Sequence, residues 1–227
     1  MIRTVLFDLD DTLFDFGAAE HTAICDTLSH LGIEPSKETV HLYVEINLAC
    51  WKRLERGECT RDEVLYSRFN ILFSRLGIER DSTEAKRYYE RRLAEEVCYM
   101  EGAEELLSSL RGKYRMYIVS NGTALVQDRR IELSGIAKYF DGIFISERVG
   151  HHKPSPAFFD AVFRETCAKR CETVITGDSL TSDIQGGINA GITTILYNPK
   201  QKDISGDILP DYQIKSLGEL PRLLEAI

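Results

Sequence analysis

The stretch VLFDLDDTLFD, residues 5–15, contains four aspartates within eleven positions. Asp8 and Asp10 flank one leucine and follow an apolar run, residues 2–7, that is typical of a buried β-strand. Side chains two apart on a strand point to the same side, so both carboxylates are expected to face one crevice. Carboxylates this close repel each other unless a proton or a cation lies between them. The stretch therefore predicts a cation site and chemistry at the end of the first strand.

The period of the apolar pattern changes along the chain. Residues 17–98 have a helical period throughout and are divided by glycines into four predicted helices, the third of which opens on a capping box at residues 60–63. After residue 102, strands alternate with helices, and the strands are expected at 114–119, 142–146, 173–176 and 193–197. This alternation predicts an α/β fold with a doubly wound parallel sheet. The core comprises residues 1–16 and 99–227, and a small helical domain, residues 17–98, is inserted after the first strand.

Polar residues follow the predicted strands at the edge where doubly wound sheets bind ligands. The second strand ends in SNGT (120–123), and the fourth ends in GDSLTSD (177–183). The segment GHHKP (150–154) lies between the third strand and its helix. These segments and the first strand end are expected to converge on one crevice.

Asp178 and Asp183 add two more carboxylates to Asp8 and Asp10 at this edge. Oxygen ligands of this kind suit a hard divalent cation, and Mg²⁺ takes one or two carboxylates together with water and a substrate phosphate. The alternative is that each acidic motif only forms a turn or caps a helix. Two such motifs at strand ends of one sheet favour the metal site.

The same crevice is expected to bind an anion. Ser120, Asn121 and Gly122 precede a helix, where backbone amides and small polar side chains can approach an anion. Lys153 supplies a fixed positive charge; the alternative is an ordinary solvated surface lysine. His151 and His152 are interpreted as structural or pocket-rim residues.

Together, the four segments resemble the haloacid dehalogenase superfamily, specifically its phosphatase branch, over essentially the whole chain. The resemblance implies Asp8 as nucleophile and Asp10 as general acid and base, with Thr12 orienting Asp10. It also implies Mg²⁺ held by Asp8, the Asp10 main-chain carbonyl and Asp178, with Asp183 in support. The phosphoryl group would be held by Lys153, Ser120 and the Asn121–Gly122 amides.

The helical insert is similar to the small cap of this superfamily, which would select the substrate. INLACWKRLERGECTRDEVLYSRF, residues 46–69, resembles the pyrimidine 5′-nucleotidase subgroup of the YjjG/YfnB type. The implied substrate is a nucleoside 5′-monophosphate. Trp51, Phe14 and Phe69 are candidates for stacking on a base and Arg53 or Arg68 for reaching its polar edge, although aromatic residues at helical spacing are more often core.

Three alternatives stay open at this stage. The first is a sugar-phosphate or phosphoglycolate-type phosphatase with the same chemistry, and the second is a phosphomutase. The third is a binding protein that has kept the fold and lost the activity. An acid at position 10 argues against a dehalogenase, because a halide needs no proton to leave.

Composition excludes other classes of function. The 227 residues carry a formal charge of −8 and a pI of about 5.2, which disfavours a nucleic-acid polymer or an anionic membrane as partner. The N-terminal apolar run is too short for a signal peptide. The sequence thus predicts a cytoplasmic enzyme whose partner is a small phosphomonoester.

Overall fold

A computed structural model describes residues 1–204 and 206–227. The chain forms two compact units. The core unit consists of Met1–Phe16 and Val97–Ile227, and the helical unit is Gly17–Glu96. Among the described residues, no helix is both long and apolar enough to cross a membrane.

A six-stranded, fully parallel sheet forms the centre of the core unit. Its strand order is β3-β2-β1-β4-β5-β6, so the chain moves outward from β1 first in one direction and then in the other. The strands are β1 (Thr4–Phe7), β2 (Arg115–Ser120), β3 (Gly142–Ile145), β4 (Thr173–Gly177), β5 (Thr193–Tyr197) and β6 (Tyr212–Ile214). The predicted α/β fold class is confirmed, but β6 was not predicted, because its three residues are too few to show a period.

Helices cover both faces of this sheet, which explains why the central strands β1 and β4 are buried along their whole length. The helices of the core unit are α5 (Ala103–Leu110), α6 (Ala124–Ser134), α7 (Ser146–Val149), α8 (Pro156–Thr166), α9 (Gln185–Ala190) and α10 (Leu220–Ala226). The predicted helix at 155–169 is three residues too long at its C-terminal end. It stops at Thr166 because Cys167 adopts a left-handed conformation, with φ of 53°.

The strand register brings the polar strand ends to one edge. Phe7 of β1 lies opposite Ile118 of β2 on one side and Thr176 of β4 on the other. The backbone N–H of Asp8 continues this ladder by donating to the Thr176 carbonyl at 2.9 Å. Asp8 therefore leaves the sheet at the same edge as the segments that follow β2 and β4.

Four helices make up the helical unit: α1 (Phe16–His30, whose first residue belongs to the core unit), α2 (Lys37–Glu55), α3 (Arg61–Leu76) and α4 (Ser82–Glu95). The capping box at the start of α3 is confirmed, since the side chains of Thr60 and Glu63 each accept from the other's backbone N–H. Inside this unit Asn47 is buried, donates to Glu20 at 2.6 Å and accepts from Arg68 at 3.0 Å.

The fourth helix of this unit was expected to run to about residue 98, but it ends at Glu95. The next residues pair instead with the loop after β1. Asp15 donates its backbone N–H to the Cys98 carbonyl at 2.8 Å, and Met100 donates to the Leu13 carbonyl at 2.9 Å. These backbone hydrogen bonds require an extended chain and place residues 97–100 in the core unit.

Candidate active site

Lys153 lies at the centre of the crevice and is almost completely buried, with 1% of its surface exposed. Its Nζ donates to Asp8 Oδ1 at 2.6 Å, to Asp183 Oδ1 at 2.6 Å and to the Val119 carbonyl at 2.7 Å. Burial alone would lower the pKa of Lys153, but the carboxylates of Asp183 and Asp8 outweigh it and the pKa is raised. The solvated-lysine alternative is therefore wrong, and the side chain is a fixed ammonium group between two carboxylates.

Three carboxylates face each other beside this lysine. Oxygen atoms of Asp8, Asp178 and Asp183 lie within 4.8 Å of one another. Burial, with further contributions from the charges of Asp183 and Asp10, raises the pKa of Asp8 to about 8 despite the opposing effect of Lys153. Desolvation and the charges of Asp8 and Asp183 likewise raise the pKa of Asp178, although Asp178 is the exposed member of the cluster. The site therefore has an excess of negative charge that a divalent cation would stabilise.

A glycine makes room for one of these carboxylates. A Cβ atom at Gly177 would lie 2.2 Å from Asp183 Oδ2, which is closer than any packing allows. Asp183 also accepts from the backbone N–H of Ser179 at 3.1 Å. The end of β4 thus holds Asp183 against the sheet edge through a close approach that only glycine permits.

The segment after β2 orders the loop that carries Lys153. The Asn121 side chain accepts from the backbone N–H of Lys153 at 2.9 Å and donates to the Lys153 carbonyl at 2.9 Å. It also donates to Ser182 Oγ at 3.2 Å. Ser120 is buried, and its Oγ accepts from the backbone N–H of Gly122 at 3.1 Å. The Asn121 side chain therefore positions the lysine, and Ser120 lies at the turn where a phosphate was expected.

The Asp10 carboxylate has partners that the sequence did not reveal. Gln127 Nε2 donates to Asp10 Oδ2 at 2.6 Å, and Arg130 Nη1 donates to Asp10 Oδ1. Thr12 was expected to orient Asp10, but its hydroxyl donates at 3.4 Å to Asp8 instead, because four residues of tight turn bring it back over the end of β1. The sequence could have indicated that Gln127 and Arg130 share one face of the helix after SNGT, because they lie three residues apart. It could not have indicated Asp10 as their partner, because Asp10 lies in a distant segment.

Asp11 forms the turn between β1 and α1. It adopts a left-handed conformation with φ of 56°, and its carboxylate accepts from the backbone N–H of Phe16 at the start of α1 at 3.1 Å. The aspartates of the opening stretch therefore have different roles: Asp8 and Asp10 lie in the crevice, whereas Asp11 caps the start of α1.

Most of the proposed base-stacking residues are core residues. Phe14 and Phe69 are fully buried, and Arg68 is 3% exposed. The interpretation that aromatic residues at helical spacing belong to the core is correct for both phenylalanines. Trp51 is half-buried, with the Arg61 guanidinium 5.7 Å from its ring centroid, and therefore stays a candidate for stacking on a base.

Comparison with known proteins identifies the family of this crevice. The sequence profile of the haloacid dehalogenase-like hydrolases matches residues 5–197, which includes all four polar segments. The chain belongs to this family. The resemblance predicted from the motifs is therefore confirmed, and the protein is a hydrolase of the haloacid dehalogenase type.

Relatives extend over nearly the whole chain. The chain is 39% identical to the HAD-hydrolase YfnB of Bacillus subtilis, covering 98% of this chain and 95% of that protein. It is 38% identical to the pyrimidine 5′-nucleotidase PynA of Streptococcus pneumoniae, covering 96% and 93%, and 31% identical to the pyrimidine 5′-nucleotidase YjjG of Escherichia coli, covering 97% and 96%. A crystal structure of YfnB bound to magnesium superimposes with a TM-score of 0.93 and covers 98% of both chains.

Proposed function

We propose that this hydrolase is a Mg²⁺-dependent phosphomonoesterase that forms an aspartyl-phosphate and acts on pyrimidine nucleoside 5′-monophosphates. The observation that carries the chemistry is the contact of one buried ammonium group, Lys153, with both Asp8 and Asp183 at 2.6 Å. This arrangement holds a carboxylate oxygen next to a cationic group at the edge of the sheet where phosphate-binding turns lie. Such a carboxylate can attack phosphorus while the lysine stabilises the phosphoryl oxygens.

The residues present fit a magnesium ion. Asp8, Asp178 and Asp183 offer oxygen ligands within 4.8 Å of one another, and when ionised they exceed the charge of Lys153 by two. Oxygen-only ligation is what Mg²⁺ requires. Bound there, the ion would neutralise charge on the phosphoryl group during transfer. A magnesium-bound structure of the relative YfnB supports this choice of metal.

The chemical steps follow from the positions of two aspartates. An oxygen of Asp8 forms a bond to phosphorus while the bond from phosphorus to the ester oxygen breaks, and Asp10 gives that oxygen a proton. Water then attacks the phosphorus of the aspartyl-phosphate, its proton passes to Asp10, and inorganic phosphate leaves as the Asp8 carboxylate is restored. We propose that Lys153, Ser120 and the backbone amides of residues 121–122 hold the phosphoryl oxygens in both steps.

The nucleotide substrate rests on the relatives and on the helical unit. PynA and YjjG are named pyrimidine 5′-nucleotidases, and each aligns with almost the whole of this chain. The helical unit is proposed to select the substrate, with the half-buried Trp51 as a candidate for contact with the base. Asn47, which lies in the nucleotidase-like segment 46–69, is 2% exposed and hydrogen-bonded to Glu20 and Arg68. Its contribution is therefore to stabilise the helical unit.

Phosphate release from a panel of nucleotides and sugar phosphates tests the proposal. Asp8→Asn is expected to lower kcat/KM by at least about 10³-fold, roughly 4 kcal/mol of barrier, because the amide cannot form the covalent intermediate. Asp160→Asn, at an exposed surface pair, serves as the matched control. With p-nitrophenyl phosphate, whose leaving group needs no proton, Asp10→Asn is expected to accumulate a phospho-enzyme that intact-mass measurement detects, because the base for its hydrolysis is missing.

Two results would overturn parts of the proposal separately. Unchanged Mg²⁺-dependent hydrolysis by Asp8→Asn would exclude the aspartyl-phosphate. A clear preference in kcat/KM for sugar phosphates over pyrimidine nucleotides would exclude the nucleotidase assignment and leave the chemistry intact.

A further inference from the structure

Gln127 and Arg130 on α6 bind both oxygens of Asp10 from one helix face. The side chains lie three residues apart and therefore on the same side of the helix. Gln127 Nε2 is 2.6 Å from Asp10 Oδ2, and Arg130 Nη1 contacts Asp10 Oδ1. The two donors come from a segment about 120 positions away in sequence, so their meeting with Asp10 is a product of the fold.

The amide of Gln127 is hydrogen-bonded at both its nitrogen and its oxygen. Its Nε2 donates to Asp10 and, at 2.9 Å, to Ser120 Oγ, while its Oε1 accepts from Arg130 at 3.2 Å. A reversed amide would place its oxygen against the Asp10 carboxylate and its NH₂ against a guanidinium, so one orientation is fixed. A single side chain therefore connects the carboxylate of Asp10 to the hydroxyl at the phosphate-binding turn.

The surroundings are built to hold this pair in place. Arg130 is fully buried, and its guanidinium lies 5.0 Å from the ring centroid of Phe14, which is also fully buried. A Cβ atom at Gly122 would lie 2.3 Å from Gln127 Nε2, so the glycine is what lets the amide reach its partners. A buried arginine is stable only with good partners, and Asp10 supplies the carboxylate.

We infer that Gln127 and Arg130 are positioning residues that fix the direction of the Asp10 carboxylate toward the leaving group and couple it to Ser120. The inference rests on the proposed function, in which Asp10 transfers the proton. Asp10 must be protonated to act as the acid, and a protonated carboxyl group keeps lone pairs that can accept from both donors while its own O–H points to the leaving group. Asp10 stays 26% exposed at the side chain, so substrate and water can reach it.

The test compares two substrates that differ in their need for an acid. Alkoxide loss from a pyrimidine nucleotide requires protonation, whereas nitrophenolate leaves p-nitrophenyl phosphate without it. The ratio kcat/KM covers the steps up to loss of the leaving group, so it isolates the acid role of Asp10 from its later role as base. The variants are Arg130→Gln and Gln127→Leu, and the matched control is Arg129→Gln, whose side chain forms an exposed pair with Glu132.

Both α6 variants are expected to lower kcat/KM for uridine 5′-monophosphate by about 10²-fold or more, and that for p-nitrophenyl phosphate by less than roughly tenfold. Arg129→Gln should change neither. In an Asp10→Asn background, Arg130→Gln should cause no further loss on the nucleotide, because residues that act through one group are not additive.

Equal losses on both substrates, or additive losses in the Asp10→Asn background, would overturn the inference and assign Arg130 and Gln127 a purely structural role. Melting temperatures identify a variant that fails to fold, and if Arg130→Gln does so, Gln127→Leu decides the question alone. Asp8→Asn is measured in the same assay. Its activity decides the proposed function, so failure of the inference and failure of the function give different results.

Discussion

Replacing Lys153 with methionine removes the ammonium group that contacts both Asp8 and Asp183 and keeps a chain of similar length. Asp183 is 1% exposed and Asp8 is 8% exposed, so neither carboxylate can regain full hydration. Removing one partner of a buried ion pair costs about 3–5 kcal/mol. For a chain of this size, each kcal/mol lowers the melting temperature by about 2–4 °C, so a decrease of roughly 6–20 °C is expected.

Thermal unfolding in EDTA measures this decrease, with Lys169→Met as the matched control. Lys169 is 70% exposed at the side chain and pairs with Glu172 at 3.2 Å, an exposed pair of a kind worth less than about 1 kcal/mol. The melting temperature of the control should therefore stay close to that of the wild type. If Lys153→Met lowers the melting temperature no more than Lys169→Met does, Lys153 does not balance the carboxylates and the reasoning fails.

Magnesium provides a second check on the same electrostatics. A ligand that binds only the folded state stabilises it by about 2.7 kcal/mol at one hundred times its dissociation constant. Without the ammonium group, the carboxylates of Asp8 and Asp183 attract the cation more strongly. Mg²⁺ should therefore raise the melting temperature of Lys153→Met more than that of the wild type. An equal or smaller rise would contradict the account.

Three further substitutions test the local structure. Gly177→Ala places a Cβ atom 2.2 Å from the Asp183 carboxylate. It should lower the free energy of unfolding in urea by about 1–3 kcal/mol and reduce phosphate release. Gly218→Ala, whose Cβ atom meets nothing closer than 3.5 Å, should change neither quantity. Thr60→Ala removes the α3 capping box and should cost about 1 kcal/mol in thermal unfolding without changing kcat. Asn47→Leu leaves two buried charged partners short of a hydrogen bond and should cost about 1–3 kcal/mol; an unchanged urea midpoint would contradict that role.

The class of fold was predictable because it is encoded locally. Apolar runs of four to six residues alternate with amphipathic helices after residue 102, and this alternation is enough to predict a parallel sheet. The ends of the elements were less predictable. Cys167 stops α8 through a left-handed conformation, and residues 97–100 leave the helix to pair with the loop after β1. These ends depend on backbone conformation and backbone hydrogen bonds, which the period of the apolar residues does not reveal.

The candidate site divides in the same way. Asp8, Lys153, Asp178 and Asp183 were predicted as site residues because the carboxyl ends of parallel strands must meet at one edge. Their pairing was not predictable, since the order of strands in the sheet decides which ends are neighbours. The role expected for Thr12 was wrong because the turn after β1 directs its hydroxyl to Asp8, and Asp10 takes its two donors from α6.

By itself, the sequence determined the class of the sheet as parallel and doubly wound, its polar edge, the family and the residue types that the edge brings together. The period of the apolar pattern and the polar residues at a strand end each lie within a short segment, so both can be recognised from the sequence alone. Only the tertiary structure decided that Lys153 lies between Asp8 and Asp183, and that Gln127 and Arg130 bind Asp10. Those contacts join segments 30 to 145 residues apart, and a hydrogen bond depends on distance in space, which the order of residues does not specify.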